Sequence, residues 1–167
     1  MVTIGEYLDF TVSKENWNIY KLEENVLLRM KLVLIKVLLR EIDENGNPSY
    51  ETAYQVVMGI VPSPIVRGKP DERIYSAKEI LDAITVDDVK IAEVIHEDWN
   101  EYNLSDTSQL SIKLVLTKAS KTSLLDPRGE PIYNIQHQAI VKGSVSQDLR
   151  RAYQKRYEQI LKGTPIV

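Results

Sequence analysis

The chain contains no cysteine, which excludes disulfides, thiolate zinc sites, iron–sulfur clusters and cysteine nucleophiles at once. It has only two histidines, His96 and His137, and neither belongs to a spaced metal pattern such as HExxH. Its seven glycines form no GxGxxG, P-loop or GxSxG arrangement of the kind that cradles a phosphate or exposes a nucleophile. Long apolar runs are missing too. The richest stretch, residues 26–39, is broken by Arg29, Lys31 and Lys36, too short and too charged for a bilayer span of about 20 apolar residues. The opening MVTIGEYLDF carries two acids and no basic side chain, unlike a secretory signal. No charge of one sign prevails either. Residues 1–82 hold ten Lys and Arg against thirteen Asp and Glu, and residues 83–167 hold eleven of each, so neither half is a basic domain. These absences predict a cytoplasmic protein with no membrane span and no cofactor.

What the 167 residues do contain is a repeat. Trp17-Asn18-Ile19-Tyr20-Lys21-Leu22 returns as Trp99-Asn100-Glu101-Tyr102-Asn103-Leu104, and the KLVLxK segment Lys31 to Lys36 returns as Lys113 to Lys118. Between Trp17 and Lys36, 10 of 20 positions are identical to those 82 residues later, where average residue usage gives about one by chance. Further on, Asp43, Gly46, Pro48 and Tyr50 answer to Asp126, Gly129, Pro131 and Tyr133 at a shift of 83. The reading is two tandem copies, residues 1–82 and 83–167. A unit of about 80 residues buries a limited fraction of its surface, so the copies are expected to pack about a pseudo-two-fold axis, as protomers of a C2 dimer do.

Each copy clarifies the other. Residues 26–39 alone fit a helix or a strand, but Leu110, Ile112, Leu114 and Leu116 alternate with polar residues, the period of two of a strand with one buried face. Leu28, Met30, Leu32 and Leu34 then face the core of the first copy. Gly46-Asn47-Pro48 and Gly129-Glu130-Pro131 read as turns, each followed by a second hairpin strand. One further strand precedes, carrying Phe10, Val12, Trp17 and Tyr20, or Val94, Trp99 and Tyr102. Ser76-Ala77-Lys78-Glu79 has the form of a capping box, and residues 147–162 carry apolar residues at helical spacing before Gly163 and Pro165. The fold class expected is mainly β (α+β): two tandem repeats, each a small antiparallel sheet or barrel-like unit followed by a short helix. The first includes a Pro-rich linker, residues 61–70, and the second a basic C-terminal helix.

No motif assigns an activity. Glu97-Asp98 and Asp87-Asp88 read as solvated charge. The repeated Trp17 and Trp99, Tyr20 and Tyr102, and the strand lysines read first as structure: aromatics closing a small β-core and lysines guarding its edges. The leading expectation is a non-enzymatic binding or assembly module working through protein contacts and self-association as a homo-oligomer. Its candidate surface is the outward face of the first long strand: Leu27, Val33, Ile35, Val37 and Leu39. In the second copy the corresponding face is mostly polar. Such an apolar face needs a cover, and either the Pro-rich segment or another subunit is expected to provide it, the subunit being favoured. Two alternatives are carried. One is nucleic-acid binding through Arg150, Arg151, Lys155 and Arg156 of the basic helix with the repeated Trp, Tyr and Lys. The other is an enzyme acting at the cleft between the copies.

Overall fold

The structure is a computed structural model that describes residues 1–64 and 67–163. Ten strands and two α-helices follow one another: β1 (Val2–Leu8), β2 (Phe10–Lys14), β3 (Asn18–Leu22), β4 (Val26–Ile42), β5 (Pro48–Val61), α1 (Ala77–Asp82), β6 (Ile84–Val86), β7 (Ile91–His96), β8 (Trp99–Leu104), β9 (Gln109–Leu125), β10 (Pro131–Ser144) and α2 (Gln147–Leu161). The fold is mainly β, with two antiparallel sheets and a C-terminal helix. No helix among the described residues is long and apolar enough to cross a membrane.

Each sheet is organised around one long strand. β4 carries β5 along one edge, while β3 and β1 share the other edge, β3 on residues 26–30 and β1 on residues 37–42. β9 carries β10 along one edge and, on the other, β8 on residues 109–113 and β6 near residues 121–122. Each sheet is completed by a strand from the other half of the sequence. β7 pairs with β3 in the first sheet, and β2 pairs with β8 in the second. Only residues 15–17 separate β2 from β3, and only residues 97–98 separate β7 from β8. The single strand expected to precede each hairpin is therefore two strands, divided where the chain passes from one sheet to the other.

The inward sides of both sheets meet in one core. Leu28, Met30, Leu32 and Leu34 of β4 pack with Leu110, Ile112, Leu114 and Leu116 of β9, and Tyr20 and Tyr102 close it. Alternation holds until a bulge: Leu34 faces Tyr54 and Lys36 faces Ala53, so Ile35 is an extra residue against β5. A bulge of this kind shifts the side-chain phase by one. Ile35 and Lys36 are consequently both exposed, and Val37 and Leu39 turn inward to complete burial. β9 has a corresponding step at Thr117, between Leu116 and Lys118, after which Ala119 is buried.

The helices are capped as their sequences dictate. Ser76 accepts from the Glu79 amide while Glu79 reaches back to the Ser76 amide, and Ser146 caps α2 through the Leu149 amide. α2 lays Leu149, Tyr153, Tyr157 and Ile160 on Val2, Leu39 and Ile42. Its first turn also sits against the β4–β5 turn. Gly46 has φ +80° there, and a Cβ on it would collide with the Arg150 carbonyl. At the β9–β10 turn a Cβ on Gly129, φ +77°, would likewise collide with the Gly68 carbonyl. The Pro-rich segment, where described, thus runs over that turn: the Gly68 amide donates to Gly129 O at 2.7 Å and the Asp71 amide to Asp126 O at 3.0 Å. Its residues 65 and 66 lie outside the described residues.

Candidate functional site

The five residues expected to form an apolar outward face do not share one. Val37 and Leu39 are fully buried, displaced inward by the bulge at Ile35, and Leu39 lies beneath α2. The cover for that end of β4 is this chain's own C-terminal helix. Leu27 and Val33 are half-buried, and Ile35 is 49% exposed.

A smaller apolar surface remains and extends onto β5. Leu27 lies opposite Val61, Lys31 opposite Val57 and Val33 opposite Gln55, and directly opposed residues share a face. Val57 and Val61 are about half exposed, at 48% and 52%. On the inward side of the same strand Tyr54 and Met58 also stay accessible, because among the described residues β5 pairs with β4 alone and its other edge is open. Beside this surface Trp17 is covered by cations, the Arg29 guanidinium 4.9 Å and the Lys31 ammonium 6.0 Å from the ring centre. On the second sheet Lys142 and Lys113 stand 4.7 Å and 6.0 Å from the Trp99 ring. Cations of the chain itself lie over these indoles, where a stacking base would have to compete with them.

The four basic residues of α2 divide into two pairs. Arg150 Nε donates to Asn47 Oδ1 and Arg156 to Glu6, both at 2.9 Å, so these two fasten the helix to the β4–β5 turn and to β1. Arg151 and Lys155 are exposed, and Arg151 comes within 3.9 Å of Asp148, itself almost fully exposed.

Polar groups missed by residue-by-residue reading gather where the chain crosses between sheets. Among the described residues, the β4 edge between β3 and β1 and the β9 edge between β8 and β6 have no strand partner over their middle residues, which leaves backbone carbonyls to be satisfied otherwise. Asn18 Nδ2 donates to Leu114 O at 2.6 Å, and Asn100 Nδ2 to Leu32 O at 3.4 Å. The Tyr20 hydroxyl donates to Glu97 at 2.5 Å and the Tyr102 hydroxyl to Glu15 at 2.7 Å. Burial, then the adjoining carboxylate, raises both phenols well above the ordinary tyrosine value, so they remain protonated donors. Glu97 is accordingly a partly buried acceptor rather than solvated charge. Asp98 pairs with Lys14, and His96 Nδ1 lies 2.8 Å from Trp17 O. The available signal was Glu15 and Glu97, each two residues before a repeated Trp at the same shift of 82.

A second polar cluster locks β5 and α2 to the β8–β9 loop. Tyr50 and Tyr153 hydroxyls donate to Asp106 at 2.6 and 2.7 Å, and the Ser108 amide donates to it at 2.9 Å. Burial pushes the Asp106 carboxyl up, but the hydrogen bonds from Ser108, Tyr50 and Tyr153 outweigh it and hold the group below its ordinary value. An open cavity of about 430 Å³ lies nearby, between the start of β5 and the end of β10, and its lining includes Asn47, Tyr50, Val141 and Arg150. Among the described residues no group of His, Asp and Glu assembles as a metal site. Comparison with protein-family models, with curated proteins and with solved structures returned no match.

Proposed function

We propose that this chain is a non-enzymatic binding and assembly module, made of two copies of one β-unit related by a pseudo-two-fold axis, and that it works through the outward face and open edge of the first sheet. Support for the duplication comes from reciprocal details. β7 reaches β3 as β2 reaches β8, Asn18 reaches Leu114 as Asn100 reaches Leu32, and Tyr20 meets Glu97 as Tyr102 meets Glu15. Every residue in these side-chain contacts is matched by one 82 positions away. Protomers of an ancestral C2 dimer that exchanged a strand would leave this pattern once joined in one chain.

The observation that carries the binding reading is the exposure of Val57 and Val61 on the outward face of β5 and of Met58 on its inward face, along a strand edge that pairs with no other strand among the described residues. Native mass spectrometry of the protein isolated from its own host tests it. The expected species is a protein complex, homomeric or heteromeric, that Val57→Lys abolishes while leaving the circular dichroism spectrum unchanged. A bare monomer, or a complex indifferent to Val57→Lys, contradicts it. Nucleic-acid binding would give instead a complex dissolving steeply with salt and weakened by removal of Arg151 and Lys155.

A further inference from the structure

We infer that the occupant of the β5 edge is β5 of a second copy of this chain, paired antiparallel across a two-fold axis. This inference rests on the binding reading above and names its partner.

The charge pattern of the strand selects the partner. Residues 52–61, Thr-Ala-Tyr-Gln-Val-Val-Met-Gly-Ile-Val, contain no charged side chain and no proline, although natural edge strands are ordinarily guarded by lysine, proline or a bulge. A strand that pairs with itself sets like residues against like, and directly opposed like charges are destabilising. An uncharged strand is the kind that tolerates self-pairing, whereas a strand receiving an acidic or basic peptide would carry the complementary charge. With Val57 at the axis, Val56 falls opposite Met58 and Tyr54 opposite Ile60, so apolar residues meet apolar residues. Glu51 falls beyond the paired core, opposite Ser63 rather than its own copy.

The exposure follows the same line. Met58 and Tyr54 lie on the core side of β5 yet are 40% and 37% exposed, since no neighbour stands beyond them. A neighbouring strand would bury these residues on one side and Val57 and Val61 on the other. The corresponding edge strand β10 differs. It exposes Ile140 and Val141, at 49% and 46%, but carries His137 within the strand and Lys142 directly after those two residues. Pairing of β5 with itself about a two-fold axis is isologous and closes as a dimer.

The absence of cysteine supplies a clean test. Single variants Val57→Cys and, at the corresponding β10 position, Ile140→Cys are purified and oxidised mildly, and the wild type is sized by light scattering over a range of concentrations. The expected result is a mass that doubles to the dimer, a disulfide-linked dimer from Val57→Cys, and none from Ile140→Cys. Val57→Lys should remain folded and run as a monomer. A wild type monomeric at all concentrations overturns the self-pairing, as does a dimer that the Ile140→Cys variant cross-links and the Val57→Cys variant does not. If the purified chain is monomeric while Val57→Lys still dissolves a heteromeric complex from the host, the self-pairing fails and the binding reading stands. If Val57→Lys alters neither, both fail.

Discussion

Ile35 decides what faces outward on β4. As the extra residue of a bulge it shifts the phase of everything after it, so that Val37 and Leu39 enter the core and Ile35 does not. Leu39→Ala should cost about 2–5 kcal/mol, the range for truncating a buried leucine. Ile35→Lys should change stability by no more than about 0.5 kcal/mol, as exposed substitutions usually do. Urea unfolding of the two variants checks the contrast. Residues 26–34 were legible only through the matching segment, where Leu110, Ile112, Leu114 and Leu116 alternate with polar residues, and a bulge leaves no mark of its own in an apolar run such as Val33-Leu34-Ile35. The segment 82 residues later carried a faint trace: Leu116 is followed by the small apolar Ala119 at a spacing of three. Asp106 gives a different kind of prediction. Its carboxyl is held below the ordinary value of 3.8 in the folded protein, so it binds protons less readily folded than unfolded. The stability it supplies is complete well above pH 3.8 and declines as pH falls through the folded value. Asp106→Asn should therefore flatten the loss of stability between about pH 5 and pH 2 while lowering stability at pH 7, as denaturant titrations across that range would record.

The hairpins and helices could be read locally because their signals are local: Gly and Pro in the turns, Ser76 and Glu79 at a helix start, apolar spacing in α2. Their destinations could not. Nothing in Gln147–Leu161 states that its apolar face belongs on β1 and β4, and its arginines read as a free basic surface until Asn47 and Glu6 are seen to hold two of them. The turn glycines report that docking indirectly. Gly46 is required both by its positive φ and by the closeness of the Arg150 carbonyl, whereas Gly5, φ +67°, has open space around it. Gly5→Ala should cost only the conformational term of about 1–2 kcal/mol for a left-handed residue. Gly46→Ala should cost more and loosen α2, seen as faster amide exchange in residues 149–160 with β9 unaffected.

Each half of the chain completes the other's sheet, and the carbonyls left free by that exchange are satisfied by asparagines from across the core. With β2 and β7 exchanged in this way, the halves are expected to unfold as one unit, although the sequence reads as two. Identities at a shift of 82 residues are plain in the sequence, but such a shift contains no information about which half of the chain a strand pairs with. Removing the donor at either crossing leaves a buried carbonyl without a partner, so Asn18→Ala and Asn100→Ala should each cost about 1–3 kcal/mol. The interlocked pairing is tested most directly by scanning calorimetry, performed on Val57→Lys so that association does not enter. The expected result is one transition whose calorimetric and van't Hoff enthalpies agree, lowered by both asparagine variants by about 2–4 °C for each kcal/mol at this chain length. Two resolved transitions, with Asn18→Ala moving one and Asn100→Ala the other, would contradict it.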